Sequence, residues 1–368
     1  MRRTMLVLLW MVLAGCSQEP EQAGFAGLAE SVAEGMAEGM AEGGGEGGQL
    51  FYLQPGPDTG LTLPEDLGTH PRHRIEWWYL TANLRTESGE PLGLQWTQFR
   101  QALLPREAGS IPEPATWPLE AAWMAHAAVS WNGKHVFAER LARGDVGNAG
   151  AAARPFSVWL DQWQLESVSE DQWRLQVQAE NFSYDLTLTI NDQPVAHGID
   201  GFSAKSDSAQ GSMYFSYVDI AISGTVTFED QSLAVEGRGW FDREWSSQFL
   251  KTGQQGWDWF ALHLDSGDKL MAFRLREEGN PFVSGTWIPA AGQARPLDSG
   301  QLALSVIEHR EGVPVRWRIE VPAQGVNLEL SAPPGNYRNQ GLYPYWESPV
   351  DVSGSHTGEG YMELTGYR

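Results

Sequence analysis

The sequence predicts an all-β protein of two similar barrel domains, set behind a secretion signal and a flexible acidic tether. Three observations predict it. Apolar and polar residues alternate at period two through most of the chain after Phe51. Helical spacing is hard to find there, and Gly and Pro punctuate the gaps. One aromatic-rich hairpin pattern occurs twice.

The first residues read as a targeting segment. Arg2 and Arg3 precede "MLVLLWMVLAG", an apolar run too short to span a bilayer as a stable helix. The run ends in "LAGC", with small residues before Cys16, the single cysteine of the 368-residue chain. This is the pattern of a signal peptide over residues 1–15, with Cys16 lipidated as the first mature residue. Ser17 stands where an aspartate would favour inner-membrane retention, so the expected location is the outer membrane, facing the periplasm. Acylation of Cys16 leaves no thiol, which excludes cysteine nucleophiles and thiolate metal sites. Cleavage also removes two arginines and takes the formal charge from −22 to about −24. Such a chain is repelled by nucleic acid and by anionic headgroups.

Residues 16–50 are expected to be a flexible linker. "AEGM" repeats there and then gives way to "AEGGGEGG", which holds too little apolar surface to offset ordering entropy. Beyond it, "WRLQVQAENFSYDLTLTI" reads as a hairpin turning near Asn181. "VDIAISGTVTFEDQSLAVEG" reads as another, turning at Glu229-Asp230-Gln231, and "RWRIEVPAQGVNLELSA" as a third. The repeated pattern sets "EWWYLTANLRTESGEPLGLQWTQFR" against "GWDWFALHLDSGDKLMAFRLR". Trp77 aligns with Trp257, Tyr79 with Trp259 and Leu84 with Leu264; after the turn, Leu92 meets Leu270. These features predict two domains, 51–223 and 224–368. Closed barrels suit them, because closure removes exposed strand edges and leaves an interior able to hold a ligand.

Several chemistries find no support. There is no Gly-x-Ser-x-Gly elbow, no His-Glu-x-x-His and no Gly-rich phosphate loop after a strand. The closest histidines, His70 and His73, lie in a Pro-containing loop without a second cluster, so neither a metal nor a cofactor is expected. What stands out is "RGWFDREWSS" (238–247) followed by "GWDWF" (256–260). Glu76, Asp242, Glu244 and Asp258 all sit among tryptophans. Low dielectric raises a carboxyl's pKa and lets it donate a proton near neutral pH, while indole faces stabilise a developing cation. Such a site could protonate an alkene and shelter the carbocation until water adds. The competing reading is structural: Arg243 pairs with a carboxylate in a buried bridge, and the tryptophans are core.

"IEWWYLTANL", "AHAAVS", "FSAKS", "GWFDREWSS", "GWDWFALHLDSGDKLMAFRLR", "YWESPVDVSG" and "GEGYMELTGY" occur in that order. Together they resemble the AttH-like proteins, which share a lipocalin-type fold with the carotenoid 1,2-hydratases (hydroxyneurosporene synthases). The resemblance runs from about Leu50 to the C-terminus. It implies two calycin-like barrels in tandem and, for the carotenoid members, cofactor-independent addition of water to an isoprenoid double bond. Catalytic roles are then expected for Asp242, Glu244, Trp245 and Asp258. Ligand contacts are expected from Glu76, Trp77, Trp78, Tyr79, His126, Arg243, Trp257 and Trp259, with the cluster lining the barrel junction. Arg243 departs from the hydratases, which carry histidine there, and a guanidinium cannot shuttle a proton as imidazole does. Two functions stand at this point: hydration or hydrolysis of an apolar isoprenoid or acyl ligand, or non-catalytic lipid binding and transfer beside an ABC export system.

Overall fold

The computed structural model describes residues 51–103, 121–144, 146–206, 210–248, 253–277 and 279–367. The expected signal peptide, Cys16 and the tether lie outside the described residues. Among the described residues the helical pieces are two 3-10 turns, Glu65–Leu67 and Pro322–Gln324; all other regular structure is β.

The strands in chain order begin with β1 (Ile75–Thr86), β2 (Pro91–Ala102), β3 (Ala121–Trp131), β4 (Lys134–Arg143), β5 (Ala149–Ala153) and β6 (Phe156–Leu160). Next come β7 (Trp163–Ser167), β8 (Gln172–Gln178), β9 (Phe182–Ile190), β10 (Val195–Ala196), β11 (Phe202–Ala204), β12 (Gly211–Phe228) and β13 (Gln231–Ser246). These thirteen form one antiparallel sheet in the order β4-β3-β2-β1-β13-β12-β9-β8-β7-β6-β5, with β10 and β11 on β12. Near one end of that order, β6 packs against β2, β3 and β4, so the sheet curls round into a barrel.

The second sheet contains β14 (Gln254–Leu264), β15 (Lys269–Glu277), β16 (Phe282–Ile288), β17 (Arg295–Leu297), β18 (Ala303–Arg310), β19 (Val313–Val321), β20 (Val326–Ser331), β21 (Arg338–Asn339), β22 (Tyr345–Gly354) and β23 (Gly358–Thr365). Its order is β17-β16-β15-β14-β23-β22-β20-β19-β18, with β21 on β22, and it curls round its own core.

Local sequence explains the hairpins. The β12–β13 turn sits at Glu229 and Asp230, both at positive φ (46° and 67°), a primed two-residue turn whose twist matches the strands it joins. Asn132 and Gly133 make the equivalent turn between β3 and β4 (φ 51° and 72°). All three hairpins read from period-two alternation are present, as β8–β9, β12–β13 and β19–β20. The sequence-based division at Gly224 is corrected. Gly224 lies inside β12, and both β12 and β13 belong to the first sheet, so the change of sheet falls between Ser246 and Gln254. A hairpin that begins a new alternating pattern does not have to begin a new sheet.

Apolar residues divide among three cores. Trp78, Trp96, Trp163, Trp173 and Phe228 fill the first barrel. Phe260, Trp317, Leu330 and Met362 fill the second. A third core lies between the sheets, made of Tyr79, Tyr214, Trp240, Trp259, Phe273 and Tyr361 with their neighbours. Burying one such side chain contributes about 2–3 kcal/mol. The expectation of ligand-holding interiors is therefore corrected as well. Large side chains occupy them, and the aromatic surface that joins the halves is the outer face of each sheet. The repeated hairpins, β1–β2 and β14–β15, both turn aromatic residues toward this seam.

Candidate active site

Strand geometry divides the tryptophan–carboxylate segment by parity. Successive side chains on β13 point to opposite faces. Phe241 and Trp245 pack in the first barrel, whereas Trp240 packs in the inter-sheet core. Arg243 therefore points inward, and Asp242 and Glu244 point to the seam. The β1 register agrees, pairing Tyr79 with Asp242, Trp78 with Arg243, Trp77 with Glu244 and Glu76 with Trp245. What reads as one cluster in the sequence is three sites.

Inside the first barrel, Arg243 and Glu76 form a fully buried ion pair. Arg100 Nη1 donates to Glu76 Oε1 (2.9 Å), and the His70 backbone N–H reaches Oε2 (3.0 Å). Arg243 also donates to the carbonyls of Asp66, Gly68, Trp77 and Glu244. Its guanidinium lies 4.0 Å from the Trp78 ring centroid, and Trp245 stacks on His70 at 3.8 Å. Burial alone would raise the Glu76 carboxyl, but Arg243, His70 and Arg100 hold it well below the carboxylate range. The buried bridge expected of Arg243 is present, and its partner is Glu76 rather than the adjacent Asp242 or Glu244, which point to the opposite face of β13. Glu76, Trp78, Arg243 and Trp245 thus make a structural bridge rather than part of the seam. Asp258 is likewise removed from the expected cluster. It faces the second barrel's interior, where Arg274 Nε (2.7 Å), Arg276 Nη1 (2.6 Å) and the Tyr367 hydroxyl (2.8 Å) saturate it.

The seam collects Asp242, Glu244, Trp77, Tyr79, Trp257 and Trp259, all expected, and adds Glu347 and Glu363. Asp242 is buried. Its Oδ1 accepts hydrogen bonds from Ser216 Oγ and from Trp240 Nε1 (2.7 Å). Burial pushes its carboxyl up to about 7; hydrogen bonds from Ser216, Trp240 and Tyr214 oppose the rise, and Glu244 adds to it. Two residues along, Glu244 accepts from Ser212 Oγ and meets the Lys205 ammonium at 3.1 Å. Lys205 itself lies 4.4 Å over the Phe273 ring and 5.3 Å from the Tyr214 centroid. These adjacent carboxyls have opposite surroundings, one enclosed by neutral donors and one beside a cation.

Glu363 Oε1 accepts from Trp257 Nε1 (2.7 Å). Glu363 is half-buried as a residue, yet its carboxyl is enclosed, and that enclosure sets its acidity. Burial pushes it up to about 8, with Trp257 opposing and Asp242 and Glu244 adding. Glu347 accepts from the Tyr79 hydroxyl (2.8 Å), and burial followed by the Glu363 charge raises it well above the usual range. Trp259 Nε1 donates to the Tyr214 hydroxyl (3.1 Å) and meets Tyr79 edge-on at 5.3 Å. Accessible surface remains on Trp77, Trp257 and Glu363. His126 shares the seam face but stands three strands from Asp242, about 14 Å away. There it bridges the Tyr345 hydroxyl (2.9 Å) and Glu139 (2.9 Å).

Sequence reasoning missed Glu347, Glu363, Tyr214 and His197. Both glutamates lie in the quoted "YWESPVDVSG" and "GEGYMELTGY" segments, as charges alternating with apolar residues. That pattern ordinarily marks a solvated face, and nothing local shows that a second barrel covers it.

Two curled antiparallel sheets, lipocalin-like in form and joined through an aromatic, carboxyl-bearing seam, define the class of protein. The chain belongs to the AttH-like family, whose model matches residues 54–367. It is similar in structure to a protein described as an AttH from Nitrosomonas europaea, at TM-score 0.76 and 30% identity, covering 86% of this chain and 99% of that one. Kievitone hydratase from Nectria haematococca shares the fold at TM-score 0.64 and 16% identity, covering 86% and 98%. A search of curated proteins returns no match.

Proposed function

We propose that the chain binds an apolar isoprenoid or acyl ligand at the seam and adds water to a carbon–carbon double bond in it, without a cofactor. The observation that carries this reading is the Asp242 carboxyl, buried among the neutral donors Ser216 and Trp240 and raised by burial to about 7, beside an ion-paired Glu244. A carboxyl enclosed by neutral donors next to one held by a cation sets a proton donor beside a group that can orient water. Ser216 Oγ and Trp240 Nε1 both donate to Oδ1, so we assign the acidic proton to Oδ2. That proton forms the new C–H bond. The resulting carbocation is sheltered by the aromatic faces of Trp77, Tyr79, Trp257 and Trp259. Water oriented by Glu244 forms the C–O bond, and its surplus proton returns to the Asp242 carboxylate. The likeness to kievitone hydratase contributes the fold; the chemistry rests on Asp242. Arg243 in place of the hydratases' histidine is compatible with this, since its side chain points away from Asp242 into the barrel.

We also propose that Cys16 is acylated and anchors the protein to the outer membrane on its periplasmic side. The "LAGC" box after a short apolar run supports this.

The test is to incubate the purified protein with a series of terminal isoprenoid alkenes in ¹⁸O-water and look for labelled tertiary alcohol. The wild type should incorporate label. Asp242→Asn should bind an apolar fluorophore as tightly yet lose turnover by about 100-fold or more. Binding by the wild type without label in any alkene would refute the hydratase and favour the carrier role, including transfer beside an export system.

A further inference from the structure

His197 is fully buried and belongs to no sheet ladder, yet it touches both halves of the molecule. Its Nε2 lies 2.7 Å from Ser216 Oγ, and its Nδ1 lies 2.8 Å from Thr286 Oγ1. Ser216 is on β12 of the first sheet and Thr286 on β16 of the second. Ser216 in turn donates to Asp242 Oδ1. The imidazole lies 4.1 Å from the Tyr214 ring at 30°, and the His197 backbone N–H donates to the Tyr214 carbonyl (3.0 Å). The following turn is closed by Gly198 at φ 69°, where a Cβ would stand 2.1 Å from the Phe202 carbonyl oxygen. No side chain fits there, so the residue after His197 must be glycine.

We propose that Thr286, His197 and Ser216 are positioning residues, forming a one-way hydrogen-bond chain that runs from the second barrel to Asp242 and fixes which of its oxygens carries the proton. The proposal deepens the acid role given to Asp242 above and rests on that reading. The direction follows from counting hydrogens. Ser216 has one hydroxyl hydrogen and commits it to Asp242, so it must accept from His197 Nε2–H. Burial pushes His197 down to about 3, so the ring is neutral and carries a single N–H. Nδ1 must then accept, and Thr286 is its donor. Along this chain each link has one orientation and the last holds a donor on Oδ1, while the Tyr214 hydroxyl, which also bonds Ser216 and Asp242, stands beside the chain. Because Thr286 enters from the second sheet, the acidity of Asp242 depends on how the two halves dock.

Removing Thr286's hydroxyl frees the chain to reverse. His197 can then take the other tautomer, Ser216 can turn its hydrogen to Nε2, and Asp242 loses a donor. Donors to a carboxylate lower its pKa, so the loss raises it. Other titratable groups facing Asp242 are Glu244 on its own strand, Tyr214 on β12, Tyr79 on β1, Glu363 on β23 and Lys205. None is altered by a change at Thr286.

The experiment follows the side-chain carboxyl carbon of Asp242 by NMR in protein labelled with [4-¹³C]aspartate, assigning the signal by its absence in Asp242→Asn. Thr286→Val should raise the titration midpoint by about one unit, and Ser216→Ala by at least as much. His197→Gln, whose amide N–H can replace Nε2–H, should stay near the wild type, whereas His197→Leu should not. A Thr286→Val midpoint equal to the wild type would overturn the chain. The difference between variants is read wherever Asp242 titrates. The wild type's absolute midpoint separately tests the acid role, so the two ideas fail by different results.

Discussion

Replacing Arg243 with methionine keeps most of the side chain's volume and removes its charge and donors. In the native barrel this guanidinium is fully buried, paired with an equally buried Glu76, and bonded to four backbone carbonyls. Glu76 would keep Arg100 and the His70 N–H, so it is not left alone. The carbonyls of Asp66 and Gly68, which tie the entry segment under Trp78, lose a buried donor. Breaking one side of a buried pair costs about 3–5 kcal/mol, and partial compensation by Arg100 places this variant near 4 kcal/mol. Glu76→Gln should cost at least as much, because it leaves Arg243 and Arg100 facing each other without a carboxylate. The double variant should recover part of the loss, with a coupling of at least about 2 kcal/mol. Urea unfolding monitored by tryptophan fluorescence reads all three, since Trp78 and Trp245 flank the guanidinium. At a slope of about 3 kcal/mol per molar urea, the single variant's midpoint falls by more than 1 M. Ligand binding by the folded fraction should be unchanged, because Arg243 does not face the seam. A loss under about 1 kcal/mol, or strict additivity in the double variant, would refute the buried bridge.

Asp242 and Glu363 carry folded pKa values raised to about 7 and about 8, so their protonated forms favour the native state. That stability is complete below pH 4 and is lost as pH rises through 7 and 8. Asp242→Asn and Glu363→Gln should flatten the decline between pH 4 and 8, by up to about 4 kcal/mol each in unfolding experiments across that range. Asp258→Asn strands Arg274 and Arg276 and should cost about 3 kcal/mol in thermal or urea unfolding, with ligand binding intact. Lost binding at undiminished stability would return Asp258 to the site. Cys16→Ser should abolish outer-membrane association on fractionation while leaving the β-domains folded, and firm attachment of that variant would exclude the lipid anchor.

Period-two alternation made the hairpins legible, and the Trp77/Trp257 repeat anticipated the pairing of two similar halves. Parity along β13 was also legible. Asp242 and Glu244 share one face and Arg243 the other, yet the crowding of charge and indole in "GWFDREWSS" suggested a single cluster. The covering of one outer face by another was not legible. It depends on tertiary docking between residues such as Tyr79 and Glu347, 268 positions apart. A glutamate on a strand's polar face reads as solvated until the opposing barrel is in place, which is why Glu347 and Glu363 escaped notice.

Because the seam is made from outer surfaces, the tandem repeat is no longer modular. A chain severed between Ser246 and Gln254 would yield two pieces, each with an uncovered wall of aromatic rings, and such walls promote aggregation. Exchanging one half for that of a relative would meet the same obstacle unless the facing residues travelled with it. The second barrel therefore serves the first as a wall does a room, and a change on either face of the seam must be matched on the other.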